Sequence, residues 1–270
     1  MSDLIIREIH TMPEFNEILE LQQTVWGMSP GEAVSPYIFN AVSHNGGVVL
    51  GADLDGRIVG FCFGFVSWRD ESRLLWSHIT GVLPGFHGQG IGFKLKHAQR
   101  IWALEHDFDE IGWTFDPMQR GNANFNFRRL RVIANLYHAN LYGEMSDEIN
   151  VGLASDRLDV RWQLNDQRVI ASAEERALEN TVTHFTEEAF IVRNDDSDGL
   201  IRAEETVFDK DTCYIEIPYR INNLKRDDMS KAQAWQLAVR WAMQQAFEQG
   251  YVIVDFITQE ERGWYALKRK

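Results

Sequence analysis

WSHITGVLPGFHGQGIG, residues 76–92, runs an apolar strand into a glycine-dense turn and then into a helix. The strand ends at Leu83, Pro84-Gly85 makes the turn, and Gly88, Gly90 and Gly92 lead into the helix. Glycine puts no Cβ into such a turn, so main-chain amides can crowd around a bulky anion. The unpaired amides and the positive dipole end of the helix then favour a phosphate or diphosphate. Lys94 falls in the first turns of the helix, within reach of an outer phosphate. Two other phosphate loops fail here. A Walker loop needs Gly-Lys-Ser/Thr, whereas Gly90 is followed by Ile91. The dinucleotide fingerprint GxGxxG needs a third glycine at Phe93 and an opening parallel βαβ unit, and finds neither.

Upstream, strands are expected at 47–52, 57–68 and 73–83, joined by Asp55-Gly56 and Asp70-Glu71 in antiparallel hairpins. A strand at 4–9 precedes a helix from Pro13 to Trp26, striped with Phe15, Ile18, Leu19 and Val25, and Pro36 opens a short helix to Ser43. Downstream, Ile91, Leu95, Ala98 and Trp102 share one helix face. A strand at 110–115, a helix at 122–131, a segment at 132–142 that fits either helix end or strand, and a strand at 158–164 come next. An antiparallel meander that turns to α/β at the glycine loop implies an α+β fold, a mixed and mostly antiparallel sheet flanked by helices. Residues 166–270 read as a smaller α+β unit, which divides the chain into 1–165 and 166–270. That unit has a helix at 174–182 and strands at 190–192, 201–207 and 213–217. Ser230 is expected to cap a long helix over 231–249, with a hairpin at 251–257 and 264–268 behind it.

Net charge is −13, so a broad nucleic-acid face is not expected. Charged residues recur through 1–30, which leaves no signal peptide or membrane span there, and two isolated cysteines, Cys62 and Cys213, suit a reduced cytoplasmic protein. Carboxylates vanish between Glu71 and Glu105, where Arg73, Lys94, Lys96 and Arg100 fall, and again between Asp116 and Glu144. An acidic chain that clears acids from two segments suits an anionic ligand.

The stretch from Val82 to Gly92 resembles the Arg/Gln-x-x-Gly-x-Gly/Ala diphosphate loop of the GNAT superfamily of acyl-CoA N-acyltransferases, with His87 in the place of Arg or Gln. The order of elements over about 3–164 resembles that fold. Segments 113–117, 140–145 and 152–162 resemble a bacterial and archaeal branch with a carboxy-terminal extension. The resemblance implies acetyl-CoA or another acyl-CoA as co-substrate, held by Val82, His87, Gly88, Gln89, Gly90, Ile91, Gly92 and Lys94. It implies a pantetheine arm paired to strand 76–82, with Gly81 at a bulge. It also implies Asn122 against the cofactor, and Phe127 where many members carry the tyrosine that protonates the leaving thiolate.

Acyl transfer to an amine needs a neutral amine, a polarised thioester and a proton for the thiolate. His78 is expected on the same strand face as Trp76, Thr80 and Val82, in place to act as base or simply as a packed core histidine. Tyr142, with Tyr137 and His138 behind it, is the substitute acid. Asp116 and Glu144 are readable as amine binders, though a strand-end turn and a surface loop are the favoured account of them. No activated Cys or Ser is evident, so direct attack by a small-molecule amine in a ternary complex is expected. No metal is expected, because His97 and His106 lack ligand spacing, and no nucleic-acid or membrane partner is expected from an acidic chain with charges throughout 1–30. The alternative is a CoA-binding regulatory module without turnover. Residues after 165 are expected to cover the acceptor cleft or to build a homodimer.

Overall fold

The computed structural model describes residues 4–69, 71–143, 151–176, 187–195, 199–202 and 208–270. The chain divides into two units, residues 1–113 with 163–165, and residues 114–162 with 166–270. The division falls after Trp113 instead of near 165, because the strands at 133–138 and 157–163 share their sheet with the carboxy-terminal strands.

In the first unit the elements are β1 (Leu4–Glu8), α1 (Met12–Trp26), α2 (Pro36–Ser43), β2 (Val48–Leu54), β3 (Arg57–Arg69), β4 (Ser72–Val82), α3 (Ile91–Glu105) and the start of β5 (Glu110–Phe115). Strands lie in the order β1-β2-β3-β4-β5, antiparallel until β4 meets β5 in parallel. Thr11 and Glu14 form a capping box at the start of α1, and Gly27 ends it in the left-handed region at φ 67°. Its buried face is Phe15, Ile18, Leu21 and Gln22, shifted from the expected stripe by the polar Gln22, which exchanges hydrogen bonds with the Val34 backbone. Phe39 of α2 stacks edge-on against Phe61 and Phe63 of β3, which ties α2 to the sheet.

In the second unit come α4 (Arg120–Ala123), β6 (Ile133–His138), β7 (Arg157–Gln163), α5 (Gln167–Ala173), β8 (Phe190–Asp195), β9 (Gly199–Arg202), β10 (Thr212–Ile217), α6 (Ile221–Asp227), α7 (Met229–Glu248), β11 (Tyr251–Gln259) and β12 (Arg262–Arg269). Its strand order is β7-β6-β11-β12-β10-β8-β9. Of residues 132–142, Ile133–His138 form strand β6 and 139–142 a turn, and the expected helix at 122–131 is one turn of α4 followed by a π turn over Asn124–Arg129. Asp228, not Ser230, caps α7, its side chain accepting from the Lys231 amide at 2.9 Å. Helix α5, capped by Asp166, ends at Ala173; of the helix expected at 174–182, residues 174–176 are not helical and 177–182 lie outside the described ones. The later part of the strand expected at 201–207 lies outside them as well. The architecture is α+β, a mostly antiparallel sheet flanked by helices. No helix among the described residues is long and apolar enough to cross a membrane.

Candidate active site

The register of β3 on β4 passes from Phe63↔Ile79 to Gly64↔Ser77, so His78 is the extra residue of a bulge. A bulge interrupts the alternation of side chains along a strand. Ser77 therefore faces α3, where the Lys96 ammonium donates to its hydroxyl at 2.8 Å, while His78 and Ile79 both turn to the α1–α2 side. The expectation that His78 shares a face with Thr80 and Val82 is corrected by this one residue. Cys62, opposite Thr80, lies 3.7 Å from the Leu95 carbonyl of α3, and Gly60, opposite Val82, faces the Leu95 side chain. Gly81 is not the bulge residue. A Cβ there would stand 2.5 Å from the Trp26 ring of α1, so glycine is required by close packing.

On the α1–α2 side His78 stands against Phe63 edge-on at 6.0 Å and Phe65 at 5.9 Å. Its ring borders a cleft of about 580 Å³ walled by Ala33, Val34, Ile38, Val42, Phe63 and Phe65. Partial burial lowers the imidazole pKa, so the ring is neutral at neutral pH.

β4 and β5 pair at Leu75↔Ile111 and Trp76↔Gly112, and β4 then runs on to Val82. A strand continuing past its partner offers backbone groups with which an extended ligand can pair. Lys96 lies where the pairing stops. It is 3% exposed, donates to Ser77 Oγ at 2.8 Å and Gln99 Oε1 at 2.9 Å, and stands 3.8 Å above the Trp113 ring. Burial pushes its pKa down to about 7. In the sequence Lys96 stands only as one of the cations of the acid-free stretch, with no role of its own. The signal was available, since a lysine directly after Leu95 borders the apolar helix face.

At the end of β4 the glycine loop is open. Gly88 and Gly90 both sit at φ 77°, and a Cβ at either would meet nothing within 4 Å. Gly90 caps α3 without a side-chain bond, and the first turn carries no acid. Among the described residues, no protein acceptor takes the amides of Gly88, Gln89, Gly90, Ile91 or Gly92. The loop is held by its own atoms instead: His87 Nε2 donates to the Val82 carbonyl at 2.8 Å, and Gln89 Nε2 to Gly85 at 3.4 Å. His87 thus braces the loop with its side chain. Lys94 is exposed on the first turn of α3.

Asn122, Phe127 and Tyr142 belong to the second unit. Asn122 is exposed on α4. Phe127 shows no surface and packs between Phe115 at 6.3 Å and Tyr265 at 5.6 Å. Its expected contact with a cofactor is corrected, because the ring is committed to the core. Tyr142 is 52% exposed, its hydroxyl 3.4 Å from Thr114 Oγ and its ring 5.2 Å from the Arg157 guanidinium. Tyr137 is engaged instead with buried Asp156 at 2.6 Å, which pushes its pKa well up along with burial. Asp116 is occupied by its own turn, accepting from the Met118 amide at 2.9 Å and from Gln119 at 3.1 Å. Glu144 lies outside the described residues. No group of His, Cys, Asp and Glu able to hold a metal occurs among the described residues.

Comparison with solved structures brings out acetyltransferases. An aminoglycoside acetyltransferase from an uncultured soil metagenomic sample, in complex with sisomicin, is 23% identical over 46% of this chain and 84% of its own, with a TM-score of 0.41. The ribosomal-protein-S18-alanine N-acetyltransferase from Escherichia coli is 10% identical over 67% of this chain and 100% of its own, with a TM-score of 0.48. A GNAT-family acetyltransferase from Streptococcus pneumoniae is 14% identical over 59% of this chain and 98% of its own, with a TM-score of 0.47. No curated protein matches the chain. Residues 13–125 match the sequence profile of the acetyltransferase (GNAT) family. That match takes in the bulged strand, the open glycine loop and α3.

Proposed function

We propose that the domain binds an acyl-CoA, acetyl-CoA by default, and moves the acyl group to a primary amine. The observation that carries this reading is the set of unclaimed amides at Gly88–Gly92, at the mouth of an acid-free helix start. They are suited to the diphosphate, with exposed Lys94 beside them, and β4 beyond Trp76 is suited to the extended arm. The thioester supplies the activated acyl carbon. The amine nitrogen forms a bond to that carbon as the carbon–sulfur bond breaks. The nitrogen loses a proton and the thiolate gains one. His78, neutral in its cleft, is the proposed acceptor of the amine proton. Tyr142 is the proposed donor to the thiolate, since Phe127 has none to give. Burial pushes the Cys62 thiol up to about 12, which argues against a thiolate intermediate there and for direct attack in a ternary complex.

Thiol release from acetyl-CoA across a panel of amines tests the reaction. Calorimetric binding of CoA to a Gly90→Val variant tests the cradle. At φ 77° a β-branched residue is strained and its side chain enters the cradle, so at least ten-fold weaker binding is expected. Unchanged binding would remove the loop from the site. A second reading, a CoA-binding module without turnover, is favoured by the buried phenylalanine at 127, and CoA binding without thiol release by any amine would select it.

A further inference from the structure

The cleft beside His78 is distinctive for what it lacks. The chain carries a net charge of −13, yet no carboxylate and no Lys or Arg lines this cleft, and Ser35 and His78 are its polar members. Glu32, next to the lining residue Ala33, is exposed and accepts from the Ser29 amide at 2.8 Å. Ile38, 50% exposed, carries the apolar wall out to the surface of α2. A mostly apolar cleft with a few convergent polar groups is the usual form of a small-molecule site.

Size separates the ligands that such a wall can serve. A cleft of about 580 Å³ lies within the range of about 300–1,000 Å³ that takes a whole small molecule. The two carbons of an acetyl group would leave most of it empty. A polycation would have to shed its water against Phe63, Phe65, Val42 and Ile38 with no counter-charge on the wall, and that loss goes uncompensated. An aryl or branched alkyl group loses nothing by the same transfer and gains from it.

We infer that this cleft takes an aryl or branched alkyl tail of the amine acceptor, with the amino group directed at His78. The inference rests on the acyl-transfer reading above and narrows its substrate class. A small apolar primary amine is the acceptor, and polyamines and aminoglycosides are poor ones. Ile38 and Val42, one turn apart on α2, set the preference, and neither takes part in holding the co-substrate.

The test uses the full chain loaded with CoA and titrated by calorimetry with phenethylamine, isoamylamine, spermidine and kanamycin, followed by thiol release from acetyl-CoA with the same amines. Phenethylamine and isoamylamine are expected to bind and react at least ten-fold better than the two polycations. Ile38→Glu, a change at an exposed position, is expected to abolish that margin while CoA binds as before. Equal binding of all four amines, or a preference for the polycations, overturns the inference. So does a gain in rate from butyryl-CoA over acetyl-CoA that Ile38→Glu removes, since the tail in the cleft would then be the acyl chain. Apolar amines that bind without thiol release uphold the cleft assignment and sink the turnover reading, so the two failures are told apart.

Discussion

His78 owes its place to a single extra residue in β4, and its chemistry to what that displacement puts around it. Phe63 and Phe65 shield the ring and hold its pKa down, so the base form persists to lower pH than for a free histidine. The acid limb of kcat/KM should therefore fall below about pH 6.5. His78→Gln should lower kcat about a hundred-fold, in line with a lost general base, and flatten that limb. A limb that survives the substitution would assign it to another group. Lys96 makes a contrasting prediction, on stability. Its ammonium is buried at a desolvation cost that the two oxygen acceptors and the Trp113 face offset only in part. With the folded pKa lowered to about 7 and the unfolded one near 10.4, both states hold the proton below pH 7 and the cost is fully present there. Between those values the unfolded chain binds more protons, so stability rises with pH by up to about 1.4 kcal/mol per unit. Urea unfolding at pH 6 to 8, below the range where the buried Cys62 thiol adds the opposite slope, should show this rise in the natural chain and lose it in Lys96→Met.

At the scale of elements, much was legible because it is local. The glycine spacing at 88, 90 and 92, the Asp55-Gly56 turn and the period of α3 depend on neighbours in sequence, and each appears where the residues put it. What was missed depends on partners far along the chain. The bulge at His78 shows only in the register with β3, and the demand for glycine at 81 comes from Trp26 of α1. The π turn at Asn124–Arg129 looks like an ordinary helix until its backbone bonds are traced. The α7 cap was expected at Ser230, and Asp228 takes the place because its carboxylate reaches the Lys231 amide. Asp228→Ala should cost about 1 kcal/mol of stability, and Ser230→Ala less than about 0.5. A reversed order would return the cap to Ser230.

At the scale of the molecule, the expected cut at 165 passes through a unit. Residues 114–162 are closed by the carboxy-terminal strands: β11 joins β6 at Ile253↔Ala134, and Tyr265 Oη of β12 donates to the Pro117 carbonyl at 2.7 Å. Asp156, 1% exposed, takes both nitrogens of Arg240 at 2.8 Å, and buried Arg131 lies 3.6 Å from Asp255. A chain ending at 165 keeps Asp156 and Arg131 and loses Arg240 and Asp255. Leaving one member of a buried pair costs about 3–5 kcal/mol, and two such losses approach the whole stability of a typical domain, about 5–15 kcal/mol. The truncated chain should therefore show no cooperative thermal transition by near-ultraviolet circular dichroism and should bind ANS strongly, whereas the full chain melts cooperatively. If residues 1–165 melt within a few degrees of the full chain, the carboxy-terminal segment is an appendage and the buried pairs contribute little. The opposite result makes residues 166–270 part of what holds Asn122 and Tyr142 in place, so that loss of activity on truncation would report a lost fold and not a lost substrate lid.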